Sequence, residues 1–235
     1  MKKIIFTGGS GRFGQVFRSI NKKYYFEYPS KKKFDIEKYD LLEKYIKKNK
    51  PNYIIHCAGL SRPMKIHDKN IEKSISLNII GTCNLVKVSN KYNIKLIYFS
   101  TNYVYPGTRG NYSERDPVLP INNYAISKLG GECAVQMYKN SLILRICMTE
   151  KPFVHKKAFS DVEMNFMYHE DLAKNLLKLI DKKGIINVGG LKKIVYDFAK
   201  KANPLVKPIS AKKTLGKKFP LKQSMNINKY LKIIK

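Results

Sequence analysis

Phe6-Thr7-Gly8-Gly9-Ser10-Gly11-Arg12-Phe13-Gly14 follows directly on Met1-Lys2-Lys3-Ile4-Ile5, so a short apolar strand runs straight into glycines at positions 8, 11 and 14. In that order the first glycine permits a tight turn out of the strand, and the second lets the backbone approach a pyrophosphate. The third lets the following helix pack against the sheet. The helix N-terminus then faces the phosphates with its unpaired N–H groups. A purely structural glycine turn has the same spacing; the place of this one, between an N-terminal strand and a helix, favours a dinucleotide site. Gly8, Gly11, Arg12, Phe13 and Gly14 are therefore candidate cofactor contacts.

Working outward, apolar runs alternate with helical patterns. Strands are expected at 2–7, 24–28, 53–57, 95–100 and 142–146, and helices at 12–22, 39–49, 70–91 and 123–139. Such alternation calls for an α/β fold of the Rossmann type, a doubly wound parallel sheet covered on both faces. A helix at 170–181, a strand at 185–188, a helix at 193–202 and a basic, proline-punctuated tail are expected to build a small C-terminal substrate lobe over the carboxyl ends of the strands, where the crevice should lie. The expected organisation is a dinucleotide-binding core with the catalytic residues over 1–146 and a lobe over 147–235, partly continuous with that core.

A second constellation turns the cofactor crevice into an active site. Ser100-Thr101 end the apolar run at 96–99, and Tyr124-Ala-Ile-Ser-Lys128 follow. On a helix the four-residue spacing puts Tyr124 and Lys128 on one face, one turn apart. The lysine is then expected to favour the phenolate and lower a phenol pKa that is ordinarily about 10. Thr101 adds a hydroxyl for a substrate oxygen. The same spacing also arises by chance in a chain with 16 tyrosines, and it gains its meaning from the glycine turn and the Ser-Thr strand end that precede it.

These motifs resemble the extended short-chain dehydrogenase/reductase family, and within it the dTDP-4-dehydrorhamnose reductases. The stretches that carry the resemblance are TGGSGRFG at 7–14, FDI at 34–36, HCAG at 56–59, SLNIIGTCNL at 76–85, STNYVYPGT at 100–108, NNYAISKLGGE at 122–132 and LILR at 142–145. The resemblance implies that Thr101, Tyr124 and Lys128 are the catalytic triad and that Tyr124 and Lys128 also touch the cofactor. It implies further that Asn78 supports the neighbouring helix at the cofactor site, that Asp35-Ile36 flank an adenine, and that Ala58-Gly59 line the cofactor. Asp35 is equally open to a role as the cap of a short turn. Related 4,6-dehydratases carry an Asp-Glu pair after the threonine, whereas Asn102-Tyr103 stand here, so the elimination chemistry lacks its acid. Asn102, Tyr103, Arg62 and Arg145 are candidate substrate contacts, with a structural ion pair the alternative for Arg145. The stretch between Arg145 and His169 is shorter than the family leads one to expect. What is implied is NADPH-dependent reduction of the 4-keto group of a nucleotide-linked 6-deoxysugar. Two alternatives stay open: a non-catalytic NADP-binding regulatory subunit, because the family is similar to the beta subunit of methionine adenosyltransferase, and a sugar-nucleotide epimerase.

In such folds an acid at the end of the second strand selects NAD by holding ribose hydroxyls. Here Tyr24-Tyr-Phe-Glu-Tyr28 runs into Pro29-Ser30-Lys31-Lys32-Lys33. Ser30 and Lys31 suit a 2'-phosphate, Arg12 is placed to add a charge-assisted bond to it, and NADPH is the expected cofactor, with NADH the lesser choice. Glu27 is the one nearby acid. Its direction is open.

Lys and Arg number 46 against 17 Asp and Glu, a formal net charge of +29. A basic surface attracts nucleic acid, but only six of these cations are arginine and the lysines are spread along the chain, as expected of a solvated surface that favours multiply anionic small ligands. The four cysteines show neither metal spacing nor a disulfide rhythm and are expected to be core thiols, with no metal site. His56 and His169 are expected to be structural. No run approaches the roughly 20 apolar residues that span a bilayer, and the N-terminus enters a strand without a signal-like stretch. A cytoplasmic protein without membrane contact is expected. A homodimer is left open.

Overall fold

The structure, a computed structural model, describes residues 2–21 and 25–235. Six parallel strands form the central sheet: β1 (Lys3–Thr7), β2 (Tyr25–Glu27), β3 (Tyr53–His56), β4 (Lys95–Thr101), β5 (Ser141–Ile146) and β6 (Gly184–Val188). Their order is β6-β5-β4-β3-β1-β2. The register pairs Phe6 with Ile55, Ile55 with Ile97 and Ile97 with Leu142. Tyr24 of the expected second strand and Lys22 of the expected first helix lie outside the described residues.

The strands read as continuous apolar runs because both faces of the sheet are covered. Alternation divides them cleanly: Ile4, Phe6, Ile55, Ile97 and Phe99 point into one core, and Ile5, Ile54, Leu96 and Tyr98 into the other. The first core receives Phe13 and Phe17 of helix α1 (Arg12–Ile20). The second receives Leu42 and Ile46 of α2 (Tyr39–Asn49), Leu85 and Val88 of α3 (Gly81–Lys91), and Val135 of α4 (Asn123–Gln136).

Three expectations change. The strand expected near 185–188 belongs to the central sheet, not to a separate lobe, because β6 pairs with β5 from Gly184–Leu142 to Val188–Ile146. Helix α5 (His169–Asn175) likewise joins the core, burying Leu172 and Ala173 in the cluster that holds α1. The helix expected over 70–91 is interrupted: Ile71–Ile75 passes into a π-helical turn, Ser76–Ile80, before α3 begins. The short stretch after Arg145 is also ordered. Met148–Thr149 pairs with Met167–Tyr168, Lys157–Phe159 with Lys207–Ile209, and Glu163–Met164 with Lys193–Ile194. Among the described residues, no helix is long and apolar enough to cross a membrane.

Candidate active site

The strand order reverses at β1, since the chain passes to β2 on one side of it and then returns to β3 on the other, and ligands of doubly wound sheets bind at the carboxyl ends of such a switch point. The glycine turn stands there. Gly8 has φ +76°, and a Cβ on it would come 2.8 Å from the Ala58 nitrogen. Gly11 donates its N–H to the Gly8 carbonyl at 3.0 Å. A Cβ on Gly14 would lie 2.3 Å from that carbonyl oxygen, so only glycine lets α1 approach the turn. No side chain caps α1 and its first turn holds no acid, so its leading N–H groups are free for an anion. These residues fit a dinucleotide cradle. The Phe13 side chain is not part of it, since its ring is buried against Phe17, Phe99 and His169.

Beside the turn, Ala58 donates its N–H to the Thr7 hydroxyl (3.1 Å), which lies 3.0 Å from His56 Nδ1. The other ring nitrogen lies 3.1 Å from the Thr82 hydroxyl, which donates to the Asn78 carbonyl at 2.8 Å. One neutral tautomer, protonated on Nε2, satisfies this chain. Burial agrees, pushing the His56 pKa down to about 3, so the histidine is structural as expected.

Asn78 lies in the π-turn, where its side chain donates to the Leu60 carbonyl (2.9 Å) and the Ser127 hydroxyl (2.8 Å) and accepts from the Leu60 N–H (2.8 Å). It ties the loop after β3 to α4. A Cβ on Gly131 would lie 2.6 Å from the Asn78 carbonyl oxygen and 2.7 Å from the Tyr98 hydroxyl, so α4 meets the π-turn backbone to backbone and rests against the Tyr98 side chain of β4. Asn122 starts α4 by accepting from the Ala125 N–H at 2.9 Å.

That seating brings Thr101, at the end of β4, to Tyr124, and a hydrogen bond joins their hydroxyls. Burial pushes the Tyr124 pKa up to about 12, against the opposing effects of Thr101 and the Arg62 charge. Lys128 is buried with its ammonium 4.2 Å from the centre of the Tyr98 ring, and burial brings it down to about 8. The expected lowering of the phenol by Lys128 is thus absent. Lys128 does not count among the groups acting on Tyr124, and desolvation of the phenolate outweighs the cation that does, Arg62.

The other sequence candidates divide. Arg145 leaves the site: 3% exposed, it gives Nη2 to Glu132 at 2.6 Å and Nη1 to the Tyr105 hydroxyl at 2.7 Å. It is a buried ion-pair partner, with Glu132 also accepting from Ser100 (2.6 Å). Asn102 is buried with its Nδ2 unpartnered, and Tyr103 lies beside it in the turn Asn102–Val104, its N–H bonded to Thr101 Oγ1. Arg62 bonds Glu150 at 2.8 Å, and Arg12 reaches the same carboxylate at 3.2 Å. Asp35 accepts from the Glu37 N–H at 3.1 Å, the bond of a short turn, while Ile36 packs over Gly81. A Cβ on Gly59 would lie 2.9 Å from Asn78 Oδ1. Ser30 is exposed, and Lys31 bonds Glu37 at 2.7 Å. Glu27 is settled: it takes Lys3 at 2.9 Å and the Tyr45 hydroxyl at 2.9 Å, on the flank of the sheet.

Three residues escaped the sequence reading. Glu132 is one helical turn beyond Lys128, a spacing that signals a neighbour. His67, 1% exposed, packs its ring 5.2 Å from that of Tyr124, and Glu150 joins two arginines 138 and 88 positions away; neither has a local sequence signal.

Residues 1–166 match the family described as the RmlD substrate binding domain. In fold the chain is similar to dTDP-4-dehydrorhamnose reductase from Bacillus anthracis, solved in complex with NADP, with a TM-score of 0.85, 25% identity, and coverage of 98% of this chain and 91% of that one. It is 26% identical over 193 residues to dTDP-4-dehydrorhamnose reductase of Aggregatibacter actinomycetemcomitans, 80% of this chain and 60% of that protein. To methionine adenosyltransferase 2 subunit beta of Xenopus laevis it is 40% identical over 98 residues, 41% of this chain and 29% of that protein. The matched stretches span less than two thirds of these curated relatives. Because the match over 1–166 takes in the glycine turn, Thr101, Tyr124 and Lys128, the chain belongs to the RmlD substrate binding domain family.

Proposed function

We propose that the chain is an NADPH-dependent reductase of the 4-keto group of a nucleotide-linked 6-deoxysugar. The observation that carries this reading is the meeting of Thr101 and Tyr124 at the end of β4, with Lys128 buried one helical turn on, beside a glycine turn and an uncapped helix N-terminus. The likeness to a reductase solved with NADP, at a TM-score of 0.85, supports it. So does the engagement of Glu27 by Lys3 and Tyr45, which leaves no carboxylate of β2 to hold a ribose diol, and Ser30 is exposed where a 2'-phosphate would lie.

The bound nicotinamide supplies hydride to the carbonyl carbon. The chain supplies the rest. Tyr124, with a pKa pushed up to about 12, keeps its proton at neutral pH and gives it to the carbonyl oxygen as the alkoxide forms. Thr101 donates to that oxygen and fixes the phenol. Lys128, down to about 8, stays mostly protonated at neutral pH and orients the cofactor ribose. Asn102 keeps a buried donor for the sugar. The segments of 147–235 outside the sheet form the substrate lobe in this reading.

A second reading, a non-catalytic NADP-binding regulatory subunit, has one observation in its favour, the 40% identity over 98 residues to methionine adenosyltransferase 2 subunit beta. The experiment that separates them offers the purified chain a panel of nucleotide 4-keto-6-deoxysugars with NADPH. Loss of NADPH absorbance with a 4-hydroxy product supports the reductase. NADPH binding without turnover of any of them transfers support to the regulatory subunit.

A further inference from the structure

Arg12 opens α1 after β1, Arg62 follows β3 and Glu150 follows β5, so three separate segments at the carboxyl ends of the sheet send charged side chains to one point. Arg62 Nη1 lies 2.8 and 3.1 Å from the two oxygens of Glu150, and Arg12 Nε lies 3.2 Å from the first of them. The carboxylate is 17% exposed, while the Arg12 and Arg62 side chains are 52% and 34% exposed. His169 closes the inner side with its ring against Phe13, and Arg62 reaches far enough to act on the Tyr124 phenol. The bridge therefore runs from the first residue of α1 through Glu150 to Arg62, the cation whose charge is felt at the proposed proton donor.

We infer that Glu150 is an internal counter-anion of a two-arginine phosphate site, and that the diphosphate of a ligand displaces it from Arg12 and Arg62. This rests on the nucleotide-ligand reading above. One carboxylate has two oxygens for two guanidinium forks, so each arginine is only partly satisfied. A diphosphate brings more charge and gives each fork its own oxygens. A singly charged anion brings nothing that the tethered carboxylate lacks, so Glu150 makes the site selective for multiply charged groups. In a chain with 46 basic and 17 acidic residues, an acid placed on both arginines of the crevice keeps small anions out when the nucleotide is away.

Calorimetric titration of the full chain with inorganic pyrophosphate, NADPH and dTDP tests this. Glu150→Gln keeps the shape and removes the competitor, so pyrophosphate should bind about fivefold tighter than to wild type, the scale of one partly exposed ion pair. Arg62→Ala should bind it more weakly, and in the double variant the gain from Glu150→Gln should shrink. A gain with NADPH assigns the site to the cofactor diphosphate; a gain with dTDP in saturating NADPH assigns it to the substrate diphosphate. Either supports the exchange. If Glu150→Gln, folded by its thermal transition, binds every one of these no tighter than a wild type that does bind NADPH, the inference is overturned alone. If neither protein binds any of them, the nucleotide reading falls with it.

Discussion

Tyr124 is a proton donor with an environment that keeps it one. Burial sets its pKa near 12, and Thr101 fixes its hydroxyl at the end of β4. Tyr124→Phe removes that hydroxyl and keeps the ring, so kcat for ketone reduction should fall by roughly 10²- to 10⁴-fold, the usual contribution of a positioned acid. The dissociation constant for NADPH should scarcely move; wild-type turnover in the variant would show that another group gives the proton. Lys128 gives a prediction about stability. Its folded pKa, about 8, lies below the ordinary lysine value of 10.5, so between those values the unfolded chain binds a proton that the folded chain does not. Stability from this group therefore rises with pH through that window, and below pH 8 the folded state carries the whole cost of burying the ammonium. Lys128→Met should raise stability at pH 7 by on the order of 1–3 kcal/mol and flatten the rise between pH 8 and 10. Lys95, also brought down to about 8, leaves a residual slope. Above pH 10 the raised pKa of Tyr124 works in the opposite direction, so urea titrations at pH 7, 8, 9 and 10 are the informative set. Burial is why the sequence misled on this pair: spacing put Lys128 one turn from Tyr124, but it does not reveal that the ammonium lies over the Tyr98 ring.

At the scale of elements, the site depends on how closely α4 sits on the π-turn and β4. Gly131 makes that approach possible, because a Cβ there would meet the Asn78 carbonyl oxygen at 2.6 Å and the Tyr98 hydroxyl at 2.7 Å. Both belong to packed elements with little room to yield. Gly131→Ala should therefore push α4 outward, lower stability by about 1–3 kcal/mol as overpacking does, and reduce kcat by more than the small change in side-chain volume suggests. A helix-propensity gain alone would instead stabilise the chain by up to about 1 kcal/mol, so the sign of the Tm change decides. The strands and α1, α2 and α4 were legible because their apolar period reports which faces are covered. The π-turn at 76–80 was not, since one widened turn leaves the apolar pattern of a long helix intact. Nor was the place of β6. Its Gly-Ile-Ile-Asn-Val run reads as a strand, but its parallel pairing with β5 is a contact across some forty residues that no local pattern encodes. Glu150 failed for the same reason: a loop glutamate acquires its meaning only when three strand ends converge.

Over the whole molecule the formal charge of +29 acts on ligands as a field. NADPH differs from NADH by a 2'-phosphate, close to two further negative charges at neutral pH. Near the end of β2 no carboxylate opposes that group from the strand, because Glu27 is held on the flank by Lys3 and Tyr45. Ser30 is exposed there, and Lys31 is 67% exposed with Glu37 as its partner, so the lysine has an acid to leave before it can meet a phosphate. The preference for NADPH should accordingly be at least tenfold in Kd, about 1.4 kcal/mol, and should have two parts that salt separates. The contribution of the general field falls off over about 10 Å at 0.1 M salt, so raising salt from 50 to 500 mM should weaken NADPH more than NADH and narrow the ratio without abolishing it. Ser30→Asp places a carboxylate next to the 2'-phosphate and should weaken NADPH while leaving NADH nearly unchanged at either salt concentration. Equal affinity for the two cofactors at 50 mM salt would overturn the cofactor assignment. A ratio that does not move with salt would show that direct contacts alone choose the cofactor and that the positive surface plays no part in it.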